Sequence, residues 1–171
     1  VADFSRVLAG PYLTMLLADL GATVIKVESP AGDQTRGWGP PWREKDSTYY
    51  LAVNRGKKSI VLDLASPYDR RLAFELAVRA DVLVENMMPG RMAKFGLDYP
   101  TVAAANEGVV YCSLTGFGAQ AEGAALPGFD LVAQAASGLM SITGDVEGSA
   151  TKVGVAVVDV LCGLHASVGV L

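Results

Sequence analysis

Two rhythms of apolar residues alternate along the chain. Leu13, Leu16, Leu17 and Leu20 recur at intervals that gather on one face of a helix, with Gly10 and Pro11 ahead of them and Gly21 behind. Proline suits a first helical turn because the N–H it lacks has no acceptor there, and glycine ends the element. Residues 23–28, TVIKVE, then take up the short β-branched pattern of a strand. Residues 29–42, rich in Gly, Pro and Trp, read as a loop, and KSIVLDL from Lys58 as the next strand. Residues 66–79 carry Leu72, Leu76 and Val78 on an amphipathic helix and lead into the strand that starts at Asp81. Short helices around Met92 and Val102 precede a strand in 108–114, and Val1-Ala2-Asp3 reads as the end of the first strand. Strands and helices alternating at this spacing predict an α/β fold with a doubly wound parallel sheet covered on both faces.

In such sheets ligands bind beyond the carboxyl ends of the strands. The segments placed there are FSRVLAG from Phe4, ESPAGD from Glu28, ENMMPG from Glu85 and TGFGAQ from Thr115, the polar and Gly-rich parts of the chain. Their convergence predicts an extended ligand lying across several loops. Gly116, Gly118 and Ala121 nominally match the dinucleotide fingerprint G-x-G-x-x-A. Gly123, Pro127 and Gly128 follow too closely for the helix whose amino end would hold a pyrophosphate, which argues against a nicotinamide or flavin site.

Asp159 is the most unusual position, a carboxylate inside the apolar stretch 153–171. Burying it unpaired costs several kcal/mol, so it must be paired, raised in pKa or bonded to helix amides. The Val-rich run 153–158 reads as a strand or extended approach and the residues from Leu161 as a buried helix, which makes Asp159 a candidate N-cap. A catalytic carboxylate fits the same pattern, because a helix amino end facing a pocket also stabilises an anionic nucleophile. The residues by themselves leave both roles open.

A composition of 51% apolar and 19% charged residues describes a globular domain with a filled core, and a net charge of −4 with scattered basic residues argues against nucleic-acid binding. No apolar run approaches the ~20 residues that span a bilayer. Cys112 and Cys162 sit in apolar contexts and read as buried thiols in a reducing, cytoplasmic setting. With His165 the lone histidine, read as a core residue of its helix, a metal site is not expected.

The blocks DFSRVLAGPYLTMLLADLGATVIKVESPAGDQTRGWGPP, NRGKKSIVLDL, ADVLVENMMPGRMAKFGL, YCSLTGFG and GFDLVAQAASGLMSITG, taken in order, resemble the class III CoA-transferase family. The resemblance implies a Rossmann-like large domain, of which residues 1–171 form the N-terminal part, in an interlocked homodimer whose small domain and C-terminal part lie outside this chain. It implies transfer of CoA from an acyl-CoA to a free carboxylic acid, of the dicarboxylate type nearest in flavour, with CoA as substrate and no further cofactor. The family's G-x-A-x-x-D-x-x-x-G setting falls on Gly154, Ala156, Asp159 and Gly163, which makes Asp159 the implied nucleophile. CoA contacts carry over to Val7, Leu8 and Ala9, to Leu62 beside the adenine, to Asn86, Met87 and Met88, and to Arg91 and Lys94 near the phosphates. Ser29 and Ala65 stand where relatives often carry basic residues, so Lys94, Arg91 or Arg36 would take over phosphate binding. The family's racemase branch needs a second base in a G-H-D setting, where this chain has Gly128, Phe129 and Asp130. A non-catalytic CoA-binding module would not require Asp159.

Overall fold

The structure, a computed structural model, describes residues 1–171 apart from the side chain of Ala121. The predicted alternation is realised as a parallel sheet of five strands: β1 (Ala2–Asp3), β2 (Ile25–Glu28), β5 (Lys58–Val61), β6 (Val82–Glu85) and β7 (Val110–Ser113), in the order β5-β2-β1-β6-β7. The chain therefore winds outward from β1 in one direction and returns to continue from β6 in the other. β1 and β6 are neighbours, with Asp3 in register with Val84, so the loops leaving them part and open a crevice between them.

One face of the sheet is covered by α1 (Ala9–Asp19) and α6 (Val157–Val170), where Leu13, Leu17 and Val84 form a small core. α1 ends against Gly21, whose φ of +101° is a turn conformation that a side chain would strain. α6 lies close against α1 because Gly163 has no side chain: a Cβ there would meet the Ala9 carbonyl oxygen at 2.7 Å. The other face is covered by α3 (Pro67–Arg79) and α4 (Tyr99–Ala103), over a larger core that includes Phe4, Leu83, Leu97 and Val102. Ser66 caps α3 through its hydroxyl, and Pro67 stands in its first turn. Among the described residues no helix is long and apolar enough to cross a membrane.

The predicted loop between β2 and β5 holds more structure than expected. A hairpin of β3 (Trp42–Arg43) and β4 (Asp46–Ser47) leads into α2 (Thr48–Asn54), capped by the Ser47 hydroxyl. Arg36 anchors this insert. It bonds both carboxylate oxygens of Glu28 at 2.7 and 2.8 Å, Asp46 at 2.9 Å and the Tyr50 hydroxyl at 2.6 Å. Leu20, expected on the buried face of α1, is instead 69% exposed beyond the last helical turn.

Beneath the β1 loop lie two buried lysines. Lys26 pairs with Asp33 at 3.0 Å and donates to the Ser5 carbonyl at 2.8 Å. Lys57 pairs with Asp3 at 3.1 Å and donates to the Pro11 carbonyl and the Asn54 side chain. Burial pushes Asp3 upward, but Lys57, Lys26 and the Ser5 and Thr14 hydroxyls more than offset it and hold the carboxylate below its ordinary pKa. Burial likewise lowers Lys57, to about 8, against the pull of Asp3.

Removing one partner of such a pair strands the other in the interior. Lys26→Met is expected to destabilise the protein by about 3–5 kcal/mol. Arg55→Ala, which breaks the solvent-exposed pair with Asp19, should cost less than about 1 kcal/mol. Urea denaturation of the two variants measures the contrast, and equal midpoints would contradict it.

Candidate functional site

The crevice between β1 and β6 holds a cleft of about 390 Å³, within the size range of small-molecule sites. Its walls come from the loop after β1 (Arg6 to Ala9), the loop after β6 (Asn86 to Pro89), the loop after β7 (Leu114 to Gly118), the start of α5 (Asp130–Ala136) and the first turns of α6. These are the strand ends singled out by the sequence, except that the loop after β2 contributes only Gln34.

Two side chains lock the walls together. Asn86 accepts the Arg6 N–H at 2.9 Å and donates to the Arg6 carbonyl at 2.7 Å, joining the β1 and β6 loops across the switch point. Glu85 accepts the Met87 N–H at 2.8 Å and the Ser113 hydroxyl, joining the β6 and β7 loops. Burial raises Glu85 above the ordinary carboxyl range despite those two bonds. On the β1 side Val7 adopts φ +69°, a left-handed conformation costly for a β-branched residue, and its N–H reaches Asp33 at 3.3 Å. The ion pair with Lys26 fixes Asp33, so the buried network reaches the cleft wall through one hydrogen bond.

Asp159 lines the cleft, but it does not cap its helix. α6 begins at Val157, four residues before Leu161, from which the sequence reads a helix, and 153–156 is not a strand. The residue at the cap position is Ala156, which offers no side-chain acceptor. The free amides are met from another helix: Asp130 Oδ1 accepts the Val158 N–H at 2.8 Å and the Asp159 N–H at 3.3 Å. Among the described residues the Asp159 carboxylate has neither a hydrogen-bond donor nor a cation. Burial, followed by the nearby Asp130 charge, raises it to about 6. The Tyr49 phenol is pushed up to about 12 by its own burial and then by Asp159, which places α2 beside the acidic end of the cleft. Tyr49 packs against Trp38 with ring centroids 5.5 Å apart.

The structure brings Val7, Leu8, Ala9, Asn86, Met87, Met88 and Asp159 together on the cleft. Leu62 is instead 4% exposed in the core beneath α3, away from the cleft wall. Arg91 and Lys94 are exposed on the turn that follows the β6 loop, outside the cleft. Arg36, an expected phosphate partner, has its guanidinium committed to Glu28, Asp46 and Tyr50. His165, expected in the core, is exposed, because α6 packs on α1 through Gly163 and Ser167 and turns the histidine outward. Its Nδ1 lies 2.8 Å from the Leu161 carbonyl oxygen.

Sequence reasoning missed three groups here: Arg6, the one cation among the described cleft-lining residues, Asp130 on the cleft, and Gln134, buried and bonded to Asp130. Two polar residues four apart in the otherwise apolar helix DLVAQAA were the available signal for that pair. Among the described residues no cluster of three metal-ligating side chains is found.

Residues 1–171 match the sequence profile of CoA-transferase family III. Succinyl-CoA:glutarate CoA-transferase of Mus musculus is 48% identical over 97% of the chain and 38% of its own length. Succinate–glutarate CoA-transferase of Agrobacterium fabrum is 46% identical over 96% of the chain and 43% of its own length. The crystal structure of a CAIB/BAIF family protein from Brucella suis superposes with a TM-score of 0.95 at 42% identity, covering 99% of the chain and 46% of that protein. The chain thus spans less than half the length of these relatives.

An unpaired, half-buried carboxylate held near pKa 6 destabilises the fold wherever it is ionised. The folded state binds the proton more tightly than the unfolded chain, so the cost is present above about pH 6 and vanishes below the unfolded value near ~4. Asp159→Asn is therefore expected to raise the thermal midpoint at pH 8, by about 2 °C after allowing for solvent screening. The gain should shrink toward zero at pH 4. A gain of equal size at both pH values would exclude the charge as its cause.

Proposed function

The chain belongs to CoA-transferase family III, and from that premise we propose that it moves CoA from an acyl-CoA thioester to a free carboxylic acid with Asp159 as nucleophile. The observation that carries the proposal is the Asp159 carboxylate itself, half-buried on the cleft, lacking a partner and raised to about 6. A carboxylate in water is a weak nucleophile; one stripped of hydration and of hydrogen-bond donors is stronger.

In the proposed reaction a carboxylate oxygen of Asp159 attacks the thioester carbonyl, a C–O bond forms, the C–S bond breaks, and CoA leaves as the thiolate. The thiolate then attacks the aspartyl carbonyl of this mixed anhydride and releases the donor acid, leaving an aspartyl-CoA thioester. The acceptor carboxylate attacks that thioester and forms a second anhydride. CoA thiolate finally attacks its acceptor carbonyl and frees Asp159. Each attack builds negative charge on a carbonyl oxygen, which requires N–H donors. The amides at the opening of α6 are not free to supply them, since Asp130 occupies two. Leu8 and Ala9 at the start of α1 line the cleft, and their N–H groups have no acceptor among the described residues, so they are the candidates for the role.

Val7, Leu8, Ala9, Asn86, Met87 and Met88 form the wall along which the pantetheine arm would lie. Arg6, Arg91 and Lys94, on or just beyond the rim, are the cations for the CoA phosphates; Leu62 would act only as support from the core. Acceptors of the succinate and glutarate type are the first to test, after the relatives so named. The same reading makes the working enzyme a homodimer. Racemisation has less support, because Phe129 stands where a second base is needed and His165 points away from the cleft.

With the protein in its full natural length, succinyl-CoA and a panel of carboxylic acids, Asp159→Ala is expected to lower transfer by about 10³-fold or more. Mass spectrometry after hydroxylamine trapping should find the acyl adduct on Asp159 in the wild type. Transfer that survives the substitution, or α-proton exchange without transfer, would overturn the proposal. Because the nucleophile must be ionised, kcat/KM should fall about tenfold per pH unit below about pH 6. Arg6→Ala should raise KM for acyl-CoA by about tenfold with kcat little changed, and an acyl-pantetheine donor lacking the phosphates should show no such increase.

A further inference from the structure

We propose that Asp130 and Gln134 form a bracket on α5 that aims the Asp159 carboxylate into the cleft, with Asp130 as the positioning residue. The inference deepens the proposed transfer reaction and rests on it.

The segment entering α6 has little to hold it in place. Residues 151–156 adopt no regular structure, and Ala156 offers the helix no cap. Two side chains one helical turn apart on α5 supply what is missing. Asp130 Oδ1 takes the Val158 and Asp159 N–H groups, and its Oδ2 accepts from Gln134 Nε2 at 2.6 Å. Gln134 is 1% exposed; its Oε1 accepts the Val153 N–H at 2.8 Å and its Nε2 reaches the Val155 carbonyl at 3.4 Å. The backbone is thus held at 153, 155, 158 and 159 by a helix from elsewhere in the chain.

The consequence for Asp159 is competitive. An acidic side chain in the first turn of a helix ordinarily folds back onto the free amides of that turn. Asp130 already occupies the two nearest, so the Asp159 carboxylate gains nothing by turning inward and stays on the cleft. The ionisable groups around it are Asp130 on α5, Tyr49 on α2 and Cys162 on its own helix, with Arg6 the cation on the cleft wall. Tyr49 and Cys162 are both pushed upward, first by burial and then by Asp159, and stay neutral through the acid range. Asp130 is the neighbouring carboxylate, and after burial it adds to the rise in Asp159.

Two substitutions in the full-length protein separate aim from charge. Asp130→Ala frees the α6 amides, so Asp159 is expected to bond them itself; kcat should fall about 10²-fold with KM for acyl-CoA within a factor of about two. Asp130→Asn keeps an acceptor for the amides and removes the charge. It should retain most of kcat, with the acid limb of the pH profile moved to lower pH. Unchanged kcat in Asp130→Ala would overturn the bracket, as would an Asp130→Asn limb coincident with the wild type. If Asp130→Ala does not fold, the Asp130→Asn profile decides by itself. Asp159→Ala serves as the separate control: activity there defeats the transfer reading, whereas its inactivity together with a negative Asp130 result defeats only the bracket.

Discussion

The interior ion pairs of Lys26 and Lys57 are the constraint on which the site depends. β1 is only two residues long, and the chain leaving it must turn at once to form the wall of the cleft. Each lysine is an expensive guest in a low-dielectric interior and is tolerated because a carboxylate and backbone carbonyls surround it. Lys26 holds the Ser5 carbonyl from below and fixes Asp33, and Asp33 in turn holds the N–H of Val7 in a conformation that valine does not choose for itself. Without that chain of contacts the β1 loop would lack a reason to take the shape that lines the cleft.

Charge is used in opposite ways on the two sides of that loop. In the buried network Asp3, Glu28 and Asp33 are matched with Lys57, Arg36 and Lys26, and burial is outweighed for all three carboxylates, which lie below their ordinary pKa. On the cleft Asp159 lies beside Asp130 with no cation paired to it among the described residues, and burial wins for Asp159. The satisfied network defines a rigid frame, and the unsatisfied carboxylate stands where a rigid frame can use it. Local departure from polar satisfaction beside a fully satisfied scaffold is where chemistry is expected.

The sheet was legible in the sequence because β2, β5, β6 and β7 fall in short runs rich in β-branched residues, and α1 carries its own start and stop signals. α2 escaped because its capping Ser47 opens a segment only seven residues long, whose hold comes from Arg36 and Glu28 further up the chain. Asp159 stood out by its apolar surroundings, and its place on the cleft follows. Its supposed capping role failed for a reason no local pattern contains: the cap comes from Asp130, 29 residues earlier. The same holds for Arg36, which looks like a free cation by composition but is bound on every side in space. A basic residue near a predicted ligand loop is thus weaker evidence of binding than a loop whose backbone is held open at a strand end.

Under the proposed transfer reaction, the state of Asp159 would be a compromise between two demands of an anhydride mechanism. A carboxylate that attacks a thioester benefits from a higher pKa, since basicity and nucleophilicity rise together, yet it must be ionised to attack at all. At about 6 the group is about nine-tenths ionised at pH 7 and more basic than an aspartate in water. Deeper burial would raise it past neutrality and leave the proposed nucleophile protonated. Bonding it to its own helix would lower it and turn it from the cleft. In the proposed bracket Asp130 would meet both requirements with one side chain, because the carboxylate that occupies the α6 amides also adds, after burial, to the rise in its neighbour. The two effects come from that one side chain, and a neutral cap would relax both at once.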